Sequence, residues 1–202
     1  MTILEKPAKG IFFRMKLNLP NFLTIFRIIT VPVIALLIIT QHSEGALIFA
    51  FFLFLLSALT DYLDGLTARK FNQSTEFGKV LDPIADKLMS VILLSVIYGS
   101  KIGSSFPIVL GGPIILIIFR EIFISGLREH IGKESNVLKV SGLAKIKTVF
   151  QLLAIGLLLA ALAFPDYYSL EYAGLLFIWI AAILTFSSGL DYFIKAKPYF
   201  KD

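Results

Sequence analysis

Four aspartates between positions 61 and 86 have a spacing that suits chemistry. Asp61 and Asp64 are three residues apart, and Asp82 and Asp86 are four apart. If each pair lies on a helix, its two members share one face. Four carboxylates brought close together repel one another strongly, and divalent cations are their natural counter-charge. Because these ligands are all oxygen, they favour Mg²⁺, Mn²⁺ or Ca²⁺ over zinc. A site with two such ions can clamp phosphates during transfer.

Small residues and an arginine accompany these carboxylates. Gly65 follows Asp61 by four residues, and Ala68 follows Asp64 by four. On a helix this creates a groove beside the carboxylates, where a ligand can approach the backbone closely. Arg69 lies about 80° around the helix from Asp61 and can bind a phosphate through two hydrogen bonds. Together, metal, groove and arginine suit a nucleotide diphosphate.

The segments on either side of the acidic stretch are almost wholly apolar, which indicates the class of protein. Of the 202 residues, 57% are hydrophobic and 16% are charged, whereas soluble domains carry about 25% charged residues. We therefore predict one all-α integral membrane domain over residues 18–195, followed by a basic tail over 196–202. Residues 1–17 are predicted to be a cytoplasmic or interfacial segment, either a juxtamembrane amphipathic helix or an unstructured basic leader.

Six hydrophobic helices are predicted, over about 21–40, 46–69, 79–100, 106–130, 141–164 and 169–194. A helix needs about 20 residues to cross the hydrocarbon core. Several of these reach that length only with their charged ends included, so those ends must face protein or water. Asn21 is the expected N-cap of the first helix. Arg27, six residues further on, either extends to the headgroups or serves inside the protein.

The distribution of basic residues predicts the orientation. Six spans place both termini on one side, and every Lys and Arg except Lys101 falls on that side. By the positive-inside rule it is cytoplasmic. The acidic stretch is therefore expected at the cytoplasmic face of a multi-pass protein of the cell's inner membrane.

Composition also argues against several function classes. Cysteine is absent, which excludes disulfides and thiolate chemistry. The two histidines, His42 and His130, are far apart and form no zinc signature. The net charge of +5 is distributed between hydrophobic spans, so we expect no nucleic-acid partner. A cation transporter remains an alternative, although it predicts acids spread through the bilayer depth. A purely structural alternative has the aspartates cap helices or pair with Arg69, Lys79 and Lys87.

Residues 61–86 resemble, without a gap, the signature D-x2-D-G-x2-A-R-x8-G-x3-D-x3-D of the CDP-alcohol phosphotransferase family. The resemblance implies a homodimeric six-helix membrane enzyme that uses Mg²⁺ or Mn²⁺, with two ions bound. It also implies that Asp86 is the base that activates the acceptor hydroxyl. The implied metal ligands are Asp61, Asp64, Asp82 and Asp86. The implied CDP-binding residues are Asn21, Thr24, Asp61, Gly65, Ala68, Arg69 and Gly78.

Basic residues further along the chain bear on the acceptor. Arg120 and Arg128 are eight residues apart, about 80° around a helix, and Lys145 and Lys147 open the fifth span. They are either membrane-side anchors or a pocket for an acceptor that carries a phosphate. With the opening segment at 18–27, they resemble the phosphatidylglycerophosphate synthase branch of the family.

That branch implies the transfer of a phosphatidyl group from CDP-diacylglycerol to sn-glycerol 3-phosphate, with phosphatidylglycerol phosphate and CMP as products. Inositol phosphate, serine or phosphatidylglycerol as the acceptor would preserve the same chemistry.

Overall fold

A computed structural model describes residues 19–40, 43–71, 75–100, 107–131 and 142–200. The described residues form six long helices and a final 3₁₀ turn, with no strand among them. The six predicted helices are confirmed. Their bounds are α1 Leu19–Thr40, α2 Glu44–Phe71, α3 Glu76–Gly99, α4 Pro107–Ile131, α5 Gly142–Ala163 and α6 Tyr168–Ala196, and the turn is Lys197–Phe200. The N-terminal segment 1–17 lies outside the described residues.

The start of α1 differs from the prediction. The helix begins at Leu19, so Asn21 is already inside it and is not its N-cap. Pro20 occupies the first turn, where a missing N–H costs nothing. The Asn21 side chain instead accepts a hydrogen bond from Thr75 Oγ1 at 2.9 Å. Thr75 is the N-cap of α3, and its hydroxyl accepts from the Gly78 N–H at 3.0 Å. The start of α1 is thereby joined to the start of α3.

Five of the described helices, α1, α2, α4, α5 and α6, are long and apolar enough to cross a bilayer. In α3, any stretch of spanning length includes Asp82, Asp86 and Lys87, which lowers its hydropathy. Large apolar side chains such as Leu36, Phe119 and Ile183 are exposed on the outside of the bundle. An exposed apolar surface of this kind suits a lipid environment. The protein is a multi-pass membrane protein.

The helices pack as two groups around a shared apolar core. In the first group α1 packs against α2 and α3, and in the second α6 packs against α4 and α5. Contacts between α2 and α5 and between α3 and α4 join the two groups. The fully buried core side chains come from both groups and include Ile34, Phe54, Leu93, Ile117, Ile155 and Ile178. The buried polar residues lie mainly near one end of the bundle, where the candidate site forms.

Candidate active site

The acidic end of the site is organised around Arg27 of α1, which is only 1% exposed. Its Nη1 contacts Asp61 of α2 and donates to Asp86 Oδ1 of α3 at 2.8 Å. Its Nη2 lies 3.9 Å from Asp82 Oδ1. Three of the four aspartates predicted as metal ligands therefore meet around one guanidinium group. We call Arg27 with these three aspartates the acidic cluster.

Three of the predicted CDP-binding positions border the acidic cluster. Thr24, which is buried, donates to Asp82 Oδ1 at 2.8 Å. Gly78 packs against Asn21, which is also buried, and a Cβ at Gly78 would lie 2.9 Å from Asn21 Oδ1. This close approach favours glycine, since a Cβ here would displace the Asn21 side chain. Asn21, Thr24 and Gly78 thus hold the starts of α1 and α3 together beside the aspartates. Their contact with CDP stays a prediction.

The remaining residues of the signature are Asp64, Gly65, Ala68 and Arg69. They lie on α2, but their side chains are outside the described part of the structure. The same holds for the side chain of Lys145 at the start of α5. Their predicted roles in binding metal, CDP and acceptor phosphate stay predictions.

The donors of the acidic cluster match the chemistry of a hard divalent ion. Among the described side chains, no group of three or more carboxylates or histidines is arranged as a metal centre. The carboxylates of Asp61, Asp82 and Asp86 converge on Arg27 instead, so the protein itself supplies a counter-charge at this point. Several carboxylate oxygens brought together from two helices are the type of ligand that Mg²⁺ and Mn²⁺ bind. The family that residues 61–86 resemble generally uses divalent metals, and these residues fit that use.

A second cluster of opposite charge lies on α4 and α5. Arg120 is buried, and it donates to Glu121 Oε1 at 3.1 Å and to Ser188 Oγ of α6 at 3.2 Å. Lys147 of α5, also buried, contacts the same Glu121 oxygen. We call Arg120, Glu121, Lys147 and Arg128, together with Ser188, the basic cluster. Two of the predicted acceptor-binding residues therefore share one carboxylate that the sequence analysis did not single out.

Tyr192 of α6 completes the basic cluster. Arg128 donates to the Tyr192 hydroxyl at 2.7 Å, and its Cζ lies 4.7 Å from the centre of the ring. The Cζ of Arg120 lies 5.7 Å from the same ring. Both arginines are within the range of cation–π attraction. Arg120 runs along α6 beside Gly189, where a Cβ would lie 3.0 Å from Arg120 Cγ. A tyrosine, a serine and a glycine of α6 thus fix the two arginines.

One cavity of about 240 Å³ connects the two clusters. Asp61, Asp86 and Arg27 line it from the acidic cluster. From the basic cluster and its surroundings, the lining includes Lys87, Arg120, Glu121, Arg128, Lys147 and Gln151. A ligand in this cavity meets carboxylates at one end and cations at the other. That arrangement can hold a molecule with a phosphate at one end and a reacting hydroxyl at the other.

Arg27 has a larger role than its sequence pattern indicates. The interpretation that it extends to the headgroups is wrong, because its guanidinium is buried among aspartates. The structural alternative that pairs the carboxylates with Lys87 is not supported either, since Lys87 Nζ contacts Ser125 Oγ. The spacing of Asn21, Thr24 and Arg27, three residues apart each time, was the available signal, since it places all three on one face of α1.

Comparison with known proteins agrees with this geometry. The family model for CDP-alcohol phosphatidyltransferase matches residues 17–187. Curated relatives named CDP-diacylglycerol–glycerol-3-phosphate 3-phosphatidyltransferase include proteins of Cereibacter sphaeroides, 39% identical, and Rickettsia prowazekii, 40% identical. Each alignment covers 93% of this chain and 99% of the relative. The relative of the same name from Wigglesworthia glossinidia brevipalpis is 43% identical over 90% of this chain and 96% of its own. The chain therefore belongs to the CDP-alcohol phosphatidyltransferase family.

Proposed function

We propose that this protein transfers the phosphatidyl group of CDP-diacylglycerol to sn-glycerol 3-phosphate, which yields phosphatidylglycerol phosphate and CMP. The curated relatives carry the name of this activity and align over nearly the whole chain. The observation that carries the proposal is the single cavity with Asp61 and Asp86 at one end and Arg120 and Lys147 at the other. Glycerol 3-phosphate has the matching polarity, with a free hydroxyl at one end and a phosphate at the other.

The basic cluster binds the phosphate of the acceptor in this proposal. Guanidinium and ammonium groups in a partly enclosed site give strong, charge-assisted hydrogen bonds to phosphate. Arg120, Arg128 and Lys147 line the cavity, and we propose that Lys145, at the start of α5, contributes to the same site. With its phosphate held there, the acceptor directs its C1 hydroxyl towards Asp86.

Asp86 is the general base. Its side chain is 56% exposed and lines the cavity, while Arg27 donates to only one of its two oxygens in the described contacts. Asp86 removes the proton of the C1 hydroxyl, and the oxygen attacks the lipid-side phosphorus of CDP-diacylglycerol. A P–O bond to the acceptor forms, the P–O bond to CMP breaks, and CMP leaves with the bridging oxygen. This direct displacement needs no covalent enzyme intermediate.

Asp61, Asp64, Asp82 and Asp86 would hold the metal, which we propose to be two Mg²⁺ or Mn²⁺ ions. When bound, divalent ions polarise the diphosphate and neutralise the charge of the departing CMP. Asn21, Thr24, Gly65, Ala68, Arg69 and Gly78, with Asp61, form the proposed CDP site. Arg27 holds the aspartates close together in this arrangement, because it supplies a positive charge between them.

The membrane setting follows from the two substrates. One is a lipid and the other is soluble, so the site must open to the bilayer and to the cytoplasm. We propose that α3 also crosses the bilayer, which brings the number of spans to six. The protein would lie in the inner membrane, with both termini and the site on the cytoplasmic side. We also propose that it is a homodimer. The positive-inside distribution supports this orientation, with residues 1–17 at the cytoplasmic surface and 196–202 as a basic tail.

The test is the release of CMP by purified protein given CDP-diacylglycerol. We expect release only when glycerol 3-phosphate and Mg²⁺ are both present, and a lipid product with the mobility of phosphatidylglycerol phosphate. Inositol phosphate, serine and phosphatidylglycerol are tested in place of the acceptor under the same conditions. A lipid product with one of these and none with glycerol 3-phosphate would contradict the proposed acceptor. Asp86→Asn is the matched inactive control, and we expect it to retain binding of CDP-diacylglycerol.

A further inference from the structure

Glu121 occupies a position in the basic cluster that the proposed reaction does not account for. It is the carboxylate of that cluster, its side chain is 15% exposed, and it lines the cavity. Its Oε1 contacts Lys147 Nζ and accepts from Arg120 Nη1 at 3.1 Å. A negative charge beside the place where an anion is to bind lowers the affinity for that anion unless it serves another purpose.

The packing of the helices shows what that purpose is. Arg120 and Glu121 belong to α4, whereas Lys147 belongs to α5. Over the ranges that the structure describes, α4 and α5 make no extended contact with each other, and each packs against α6 instead. Both helices contribute residues to the lining of the cavity, Arg120 and Glu121 from α4 and Lys147 from α5. The Glu121–Lys147 ion pair is thus a bridge between two helices that little else joins at this point.

Charge repulsion makes the bridge necessary. Arg120 and Lys147 are both buried and both positive, and Arg128 adds a third charge nearby. Without a carboxylate between them, two buried cations move apart or draw in water, since neither has enough counter-charge. A single carboxylate that contacts both holds them at a fixed separation and leaves the cluster positive overall. A phosphate dianion then meets cations that are already in place, which reduces the entropy lost on binding.

We infer that Glu121 is a positioning residue of the acceptor-phosphate site, which holds Arg120 and Lys147 at the separation at which they bind phosphate. This inference rests on the proposed function. Glu121 does not contact the acceptor in this account. It acts through the two cations, so its loss weakens binding of the phosphate end of the acceptor and leaves the lipid substrate unaffected.

The test compares kinetic constants for the two substrates in Glu121→Ala. We expect the KM for glycerol 3-phosphate to rise about 10- to 100-fold, as is typical when a group that orients ligands is lost, while the KM for CDP-diacylglycerol stays within about twofold. Inorganic phosphate, used as a competitive inhibitor, should lose affinity by a similar factor. Glu121→Gln should lie between wild type and Ala, because its amide oxygen still accepts from Arg120 and Lys147 without the charge.

Glu129→Ala is the matched control, since Glu129 lies on the same helix, is exposed and is absent from the described lining of the cavity. It should match wild type in both constants. Equal increases in both KM values for Glu121→Ala, a change in kcat alone, or a lower KM for glycerol 3-phosphate would each overturn the positioning role. If Glu121→Ala does not fold, Glu121→Gln decides by the same measurements, because it keeps the size of the side chain.

The two proposals fail in different ways. Wild-type protein that releases no CMP with glycerol 3-phosphate contradicts the proposed function. Wild-type protein that is active with glycerol 3-phosphate, together with unchanged KM and phosphate inhibition in both Glu121 variants, contradicts the positioning role alone.

Discussion

The two ends of the cavity are built on the same plan with the charges reversed. At the acidic end, aspartates of α2 and α3 surround one arginine of α1. At the basic end, cations of α4 and α5 share one glutamate of α4. In each case a side chain of opposite charge relieves the repulsion that a functional cluster creates. The first group of helices builds one end, and the second group builds the other.

The ends differ in which partner is buried. At the acidic end the central Arg27 is buried, while Asp82 and Asp86 are about half exposed. At the basic end Arg120 and Lys147 are themselves buried and are held by Glu121 and Ser188. The acidic end therefore leaves its carboxylates accessible, as ion binding requires, and those of Asp61 and Asp86 line the cavity. The basic end holds its cations in fixed positions, which suits the binding of a single phosphate group at one position.

The largest expected effect is at the acidic end. Asp82→Asn removes a charged oxygen that Thr24 and Arg27 hold in place, so we expect CMP release to fall by about 1,000-fold or more through the loss of metal. Titration with Mn²⁺ should show weaker binding in the variant, and Asp61→Asn should behave alike. Asp191→Asn is the control, since Asp191 pairs with Lys195 near the end of α6. Turnover in Asp82→Asn close to that of the control would contradict an ion-binding role.

Arg27→Gln tests whether the acidic cluster needs its central charge. The substitution leaves the neighbouring carboxylates without a compensating positive charge, so we expect the free energy of unfolding to fall by about 2 kcal/mol. This is less than the cost of breaking a fully buried ion pair, because the aspartates are partly exposed to solvent. Mg²⁺ should then raise the melting temperature more in the variant than in wild type, since an ion bound to the native state replaces the lost charge.

Thermal unfolding in detergent, with and without Mg²⁺, measures both effects of Arg27→Gln. Lys195→Gln is the matched control, because it removes a cation from an exposed pair, and exposed pairs contribute at most about 1 kcal/mol. An equal Mg²⁺-induced shift in Arg27→Gln and wild type would show that the guanidinium and the ion do not share these carboxylates.

The two ends also differ in how much of them the sequence predicts. The acidic end could be predicted from the sequence because its aspartates and Gly78 lie in one continuous stretch of the chain, at the end of α2 and the start of α3. Arg27 was not assigned, since an arginine near the end of an apolar span has the same sequence pattern whether it faces lipid headgroups or protein. Only the packing of α1 against α2 and α3 decides between these positions.

The partners at the basic end were harder to predict. Glu121 is adjacent to Arg120 in the chain, and adjacent residues on a helix do not face each other. Their pairing depends on the course of the long arginine side chain. Ser188 and Tyr192 are four residues apart on α6, which indicates a shared polar face but not the helix that this face meets. The six helices themselves followed from apolar runs of nearly spanning length, which need no tertiary information.

The smallest effects come from two glycines, one at each end. A Cβ at Gly189 would lie 3.0 Å from Arg120 Cγ, and one at Gly78 would lie 2.9 Å from Asn21 Oδ1. We expect Gly189→Ala to move Arg120 by a few tenths of an ångström and to raise the KM for glycerol 3-phosphate about threefold. Gly78→Ala should raise the KM for CDP-diacylglycerol by a similar factor.

Gly126→Ala is the control for both glycine variants, because nothing lies within 4 Å of its Cβ position. It should leave both constants unchanged and can stabilise α4 by up to about 1 kcal/mol. Opposite patterns in Gly189→Ala and Gly78→Ala would show that each end of the cavity binds its own substrate. If both variants raise the same KM, the two ends do not bind separate substrates, and the division of the cavity into a lipid-diphosphate end and an acceptor-phosphate end is wrong.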